Sequence, residues 1–154
     1  MTDPLLCVRE LEVRYKPGRV ALPVGGDVTT ARAAATLAAA VLADLTVEQV
    51  IALHVDTKRH VIGVHVVSVG ILDGALVHPR DVFKAALLTN AAGLILIHNH
   101  PSGDPTPSPD DWALVSRLRH AGDLLGVELL DALIVTDPCD GGRYYSFHEA
   151  GALR

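Results

Sequence analysis

A chain of 154 residues with 49 % hydrophobic and 20 % charged residues has the size and balance of one ordinary soluble domain, long enough to bury a single core. No stretch approaches the roughly 18 to 20 uninterrupted apolar residues that a membrane-spanning helix requires, and residues 1–10 lack the charged-then-apolar layout of a signal peptide, so a cytoplasmic protein is expected. The formal charge is −5 and the 13 basic residues are scattered, so the electrostatic footprint of a nucleic-acid binder is missing and tight duplex binding is not expected.

In chain order, residues 5–15 (LLCVRELEVRY) alternate imperfectly and are rich in valine and leucine, which predicts a first, edge strand before the turn Lys16-Pro17-Gly18. Residues 30–45 are dense in alanine and leucine after the break at Gly25-Gly26 and predict a helix capped by Thr30. EQVIALHV at 48–55 and VIGVHVVSV at 61–69 are β-branched runs on either side of a short polar loop, which predicts an antiparallel pair. Pro79 opens a second helix that ends near Asn90 and Gly93, and a buried strand follows at 94–97. A loop with four prolines at 101–109 leads into a helix at 110–125, and two strands are expected at 127–135 and 143–147. No repeat or linker is visible. Residues 1–27 are read as a strand and turn packed on one domain formed by 28–154.

Cys7 and Cys139 could form at most one disulfide and lack the spacing of a metal knuckle, so both are read as reduced bystanders. Among the eight histidines, His54, His60, His65, His78, His120 and His148 stand apart without metal-ligand spacing and are read as ordinary surface or core residues.

His98 and His100 differ. They sit at i and i+2 at the end of an apolar strand, where alternate side chains share a face, so both imidazoles project the same way. Alone, such a pair could equally be two solvated loop histidines. Ser108-Pro109-Asp110-Asp111 forms a helix entry, with Ser108 at the N-cap, proline at the first helical position and an acidic residue at the third. Asp111 therefore reads as a cap or as a ligand, and the two roles are compatible.

The spacing H-x-H-x(7)-S-x(2)-D, present as HNHPSGDPTPSPDD, resembles the JAMM signature of JAB/MPN metalloenzymes, and its HNHPSG form resembles the RadC-like proteins. The similarity runs from about Glu48 to Gly151. It implies an α/β (α+β) fold with a curved, mainly antiparallel sheet flanked by helices, in a cytidine-deaminase-like architecture. It also implies one zinc per chain on His98, His100 and Asp111, with a fourth position left for a water whose pKa the metal would lower. Glu48, eight residues before Asp56, would be the base and Ser108 the donor to the developing oxyanion. On the residues alone Glu48 would read as a solvated carboxylate at a strand start, and Ser102 as loop structure.

The resemblance implies a metallopeptidase or isopeptidase acting on a peptide or protein substrate. Its alternatives are an inactive MPN-type interaction scaffold and a protein associated with DNA repair. The dispersed HNH nuclease unit is absent, and the PCxxC of zinc deaminases is broken at Pro138-Cys139-Asp140-Gly141-Gly142. Longer RadC-like proteins carry a helix-hairpin-helix region for which this chain has no room, so the short stand-alone form is expected. Two positions depart from the family pattern: Ala132 replaces a histidine and Val115 a threonine, changes that bear on the surroundings of the ligands.

Overall fold

The computed structural model describes residues 28–42, 46–70, 77–136 and 142–153. The expected strand at 5–15, the end of the first helix at 43–45 and both cysteines lie outside the described residues.

The elements follow one another as α1 (Ala31–Leu42), β1 (Glu48–Val55), β2 (Val61–Gly70), α2 (Pro79–Leu88), β3 (Gly93–Asn99), α3 (Pro109–Leu125), β4 (Glu128–Val135) and β5 (Tyr144–Ser146). Thr30 caps α1 by accepting the Ala33 N–H at 3.1 Å, as its side chain and position predict. The strands form one sheet in the order β2-β1-β3-β4-β5. Neighbours are antiparallel except β3 and β4, which are parallel. That parallel pair needs a long crossover, and the loop after β3 together with α3 supplies it.

Strand periodicity sorts the core into two halves. Leu94 and Leu96 of β3 pack with Val82 and Phe83 of α2 and Leu114 and Leu118 of α3. Ile95 and Ile97 face the other way, onto Ala34, Leu37 and Ala38 of α1. The sheet is thus sandwiched between α1 on one face and α2 with α3 on the other. Each fully buried leucine or isoleucine contributes about 1.5–3 kcal/mol of apolar burial. A strand covered on both faces reads as an unbroken apolar run, which explains GLILI in β3.

β3 continues two residues beyond the expected end at Ile97. Its ladder with β4 pairs His98 with Ile134 and Asn99 with Val135, so backbone pairing rather than apolarity sets the strand's length. The other expected elements agree to within a residue or two. At the far end of α3 a close approach is built in: a Cβ on Gly122 would stand 2.5 Å from the Val127 carbonyl oxygen and 3.2 Å from Phe83 Cζ. No helix among the described residues is long and apolar enough to cross a membrane.

Candidate metal centre

Because β1 and β3 are antiparallel, the start of β1 lies beside the end of β3. Val50 pairs with His98, so alternation brings Glu48, His98 and His100 to one sheet face, the one that carries Leu94, Leu96 and α3. The polar side chains converge at that end. His98 Nε2 stands 3.2 Å from His100 Nε2, and His98 Nε2 lies 3.1 Å from Asp111 Oδ1. His100 Nε2 is 3.6 Å from Glu48 Oε1 and 3.9 Å from Asp111 Oδ2. The ligand atoms of Glu48, His98 and His100 all lie within 4.8 Å of one another, a grouping that could hold a metal ion.

Local structure holds two of these groups, His100 and Asp111, in place. His100 Nδ1 is 2.8 Å from the Asp104 carbonyl oxygen, which can only accept, so Nδ1 donates to it and Nε2 is the nitrogen that faces the cluster. Asp111 is the third residue of α3 and forms a reciprocal cap with Ser108. The Ser108 N–H and hydroxyl donate to Asp111 Oδ2, both at 2.7 Å, while Ser108 Oγ accepts the Asp111 N–H at 3.2 Å. Burial by itself would raise the Asp111 pKa. The His98 ring and the Ser108 donors outweigh it and hold the carboxyl well below the usual carboxylate range.

The donor set fits a divalent metal. Asp111 is 2 % exposed, and among the described residues its Oδ1 has no hydrogen-bond partner of acceptable geometry, although the His98 Nε2 stands 3.1 Å from it. An orphaned buried carboxylate oxygen is costly unless a cation completes it. The His98 to His100 nitrogen spacing is also close to the roughly 3.3 Å expected between two nitrogens bound tetrahedrally at zinc distances. Glu48, His100, Pro101, Ser102, Ser108, Asp110 and Asp111 line an open cleft of about 360 Å³ over the cluster. Substrate could reach it.

The family model for the RadC-like JAB domain matches residues 28–152. The chain belongs to the RadC-like JAB domain family. A UPF0758 protein of Shouchella clausii is 49 % identical over 106 residues, 69 % of this chain and 46 % of the relative. One from Thermotoga maritima is 51 % identical over 98 residues, covering 64 % and 42 %. One from Methanosarcina acetivorans is 46 % identical over 107 residues, covering 70 % and 45 %. The chain therefore spans less than half the length of these curated relatives, whose names state no activity. The mixed sheet between helix layers agrees with the JAB/MPN architecture.

The two departures from the family pattern fall in the core. Val115 and Ala132 are buried in the core half that also holds Leu114, Leu118 and Ile134. Asp131, which precedes Ala132, accepts from Ser146 Oγ at 2.6 Å, the Ala132 N–H at 2.7 Å and the His148 N–H at 2.9 Å, and so ties β5 and the following turn to β4. Asp56 is a hairpin residue, accepting from the Lys58 and His60 N–H groups. Four of the other histidines also have structural surroundings. His78 caps α2, His60 lies against Asp56, His120 contacts the Ser116 carbonyl and His54 is buried.

Two supports went unnoticed in the sequence. Asn99 bonds to the backbone of Val47 and Gln49, and the Arg143 guanidinium donates to the Gly103 carbonyl at 2.7 Å, pinning the loop after His100. Neither has a motif: both depend on contacts between segments at least 40 residues apart.

Proposed function

We propose that this RadC-like JAB domain is a zinc-dependent hydrolase of amide or isopeptide bonds, with His98, His100 and Asp111 as ligands, Glu48 as the base and Ser108 as the oxyanion donor. The observation that carries the reading is the convergence of the buried Asp111 carboxylate with His98 Nε2 at 3.1 Å and His100 Nε2 at 3.9 Å, beneath a cleft that Glu48 lines. Asp111 is preferred to Glu48 as the third ligand because the Ser108 cap already fixes its carboxylate at 2 % exposure, whereas the Glu48 side chain is 24 % exposed on the cleft wall.

Zinc bound there would supply a Lewis acid that acidifies a water molecule and polarises the substrate carbonyl. Glu48 accepts a proton from the attacking water as the new C–O bond forms, and returns it to the amine nitrogen as the C–N bond breaks. Ser108 turns its hydroxyl from Asp111 Oδ2 to the developing oxyanion. The Ser108 backbone N–H stays on Oδ2, so Asp111 keeps its orientation meanwhile. His100 is held throughout by its Nδ1–H bond to the Asp104 carbonyl.

Metal analysis of protein purified without added metal, combined with a peptide and isopeptide library, tests this reading. Wild type is expected to carry one zinc per chain. His98→Ala should lose both zinc and turnover, and undiminished zinc in that variant would remove the proposed centre. Glu48→Gln should keep zinc and lose about a hundred- to ten-thousand-fold in turnover. A Glu48→Gln protein emptied of zinc would make Glu48 a ligand instead.

A further inference from the structure

Between the two histidines stands a residue that the metal centre leaves unused. Asn99 alternates away from the face that carries His98 and His100, and it is 5 % exposed. The β1–β3 backbone ladder runs from Val55 opposite Gly93 to Val50 opposite His98, and stops there. Beyond that point the Asn99 side chain replaces the ladder. Its Oδ1 accepts the Gln49 N–H at 2.8 Å, and its Nδ2 donates to the Val47 carbonyl at 3.1 Å. A primary amide reproduces the donor and acceptor of a peptide group, so one side chain does what a further backbone pair would do.

The two backbone groups it holds belong to the residues immediately before and after Glu48. On its β2 side Glu48 is paired with Gly70, and fixing the carbonyl before it and the N–H after it on the β3 side leaves its main chain little freedom at the start of β1. Its carboxylate is thereby aimed at the cluster, 3.6 Å from His100 Nε2. The Asn99 amide is buried at its own end of both bonds, while Val47 at the far end of one is exposed. The ladder's early end also matters, because Glu48 and His100 stand beside each other at the cleft without a backbone pair drawing the strands together.

We propose that Asn99 is a positioning residue for Glu48: it fixes the base relative to the metal centre without touching metal or substrate. The proposal rests on the reading of Glu48 as the base. Asn99→Ala removes both bonds. Asn99→Asp keeps the acceptor for the Gln49 N–H, removes the donor to Val47, and serves in its place should the alanine variant not fold.

The test is a double-mutant cycle with Glu48→Gln, read by zinc content, by turnover and by hydrogen exchange at the Gln49 amide. Asn99→Ala should retain zinc, lose about tenfold or more of the Gln49 protection, and lower kcat by about ten- to a hundredfold with KM little changed, the pattern of a misplaced group. In the Glu48→Gln background the same substitution should change kcat by less than about twofold, since a residue acting only through Glu48 has nothing left to position. Asn99→Asp should keep much of the Gln49 protection yet still lose turnover. Equal losses in both backgrounds, or loss of zinc, would reduce Asn99 to general structural support and overturn the proposal. A normal kcat in Asn99→Ala beside a crippled Glu48→Gln would overturn the positioning alone. Intact turnover in Glu48→Gln would instead overturn the assignment of the base, and the positioning role with it.

Discussion

His54 and His100 are both histidines associated with strands, and their surroundings give them opposite chemistry. His100 donates from Nδ1 and turns Nε2 into an open cleft. His54 is 2 % exposed, with Nδ1 3.3 Å from Thr89 Oγ1 and Nε2 without a hydrogen-bond partner. Burial first, and the neighbouring His65 ring second, push its pKa down to about 4. The groups around it are His65 on β2, Thr89 just after α2, and Asp81 and Lys84 on α2, which act on His65. Its β3 partner is apolar Leu94. The unfolded chain takes up a proton below the ordinary value of 6.5 while the folded protein resists until about 4, so the unfolded state binds more protons in that window. Stability from neutral His54 is therefore complete above the window and is lost as pH falls through it. Denaturant titrations of the chelated protein should show a decrease of about 2–3 kcal/mol between about pH 7 and about pH 4.5 that His54→Gln does not share. An identical pH dependence in both proteins would show that the ring titrates normally.

At the scale of elements, α3 is anchored at both ends by different devices. Its start is the Ser108–Asp111 reciprocal cap, and its end closes through Gly126 in the left-handed region at φ 71°. One turn before that end, Gly122 lets the helix lie directly on the Val127 carbonyl. Gly122→Ala should lower the stability by about 1–3 kcal/mol through overpacking, measured as a lower denaturation midpoint, with zinc content unchanged because Asp111 and the proposed centre lie at the opposite end of the helix. The helices and strands were largely legible in the sequence, because alternation, proline starts and threonine or serine caps are local signals. The sheet order and the parallel β3–β4 pair were not, since long-range pairing leaves no local trace. The same division runs through the site. The HxH pair and the Ser108 to Asp111 helix entry could be read from spacing, whereas Glu48 emerged only through the family resemblance because it meets His100 across the β1–β3 pairing. Asn99 stayed hidden because its role depends on where that ladder stops.

For the whole molecule, occupancy of the proposed metal centre would be linked to folding. A ligand that binds only the folded state adds RT ln(1 + [L]/Kd), about 2.7 kcal/mol at a hundredfold excess over Kd. Chelation should therefore lower the Tm by several degrees for a domain of this size, and His98→Ala should start at the lower Tm and show no further change. A chelation shift that persists in His98→Ala would place the stabilising metal elsewhere. The reciprocal cap has a further consequence. Asp111 is tied to the folding of α3 by the cap alone, so its orientation does not depend on an ion, and uptake at the proposed centre would call for little rearrangement. Natural selection would then have cause to keep an aspartate at this position in a relative without activity, as it would keep any good helix start. When related chains are sorted into active enzymes and retired ones, the aspartate is a poor witness, and the two histidines, with no comparable duty in starting a helix, are the ones to question.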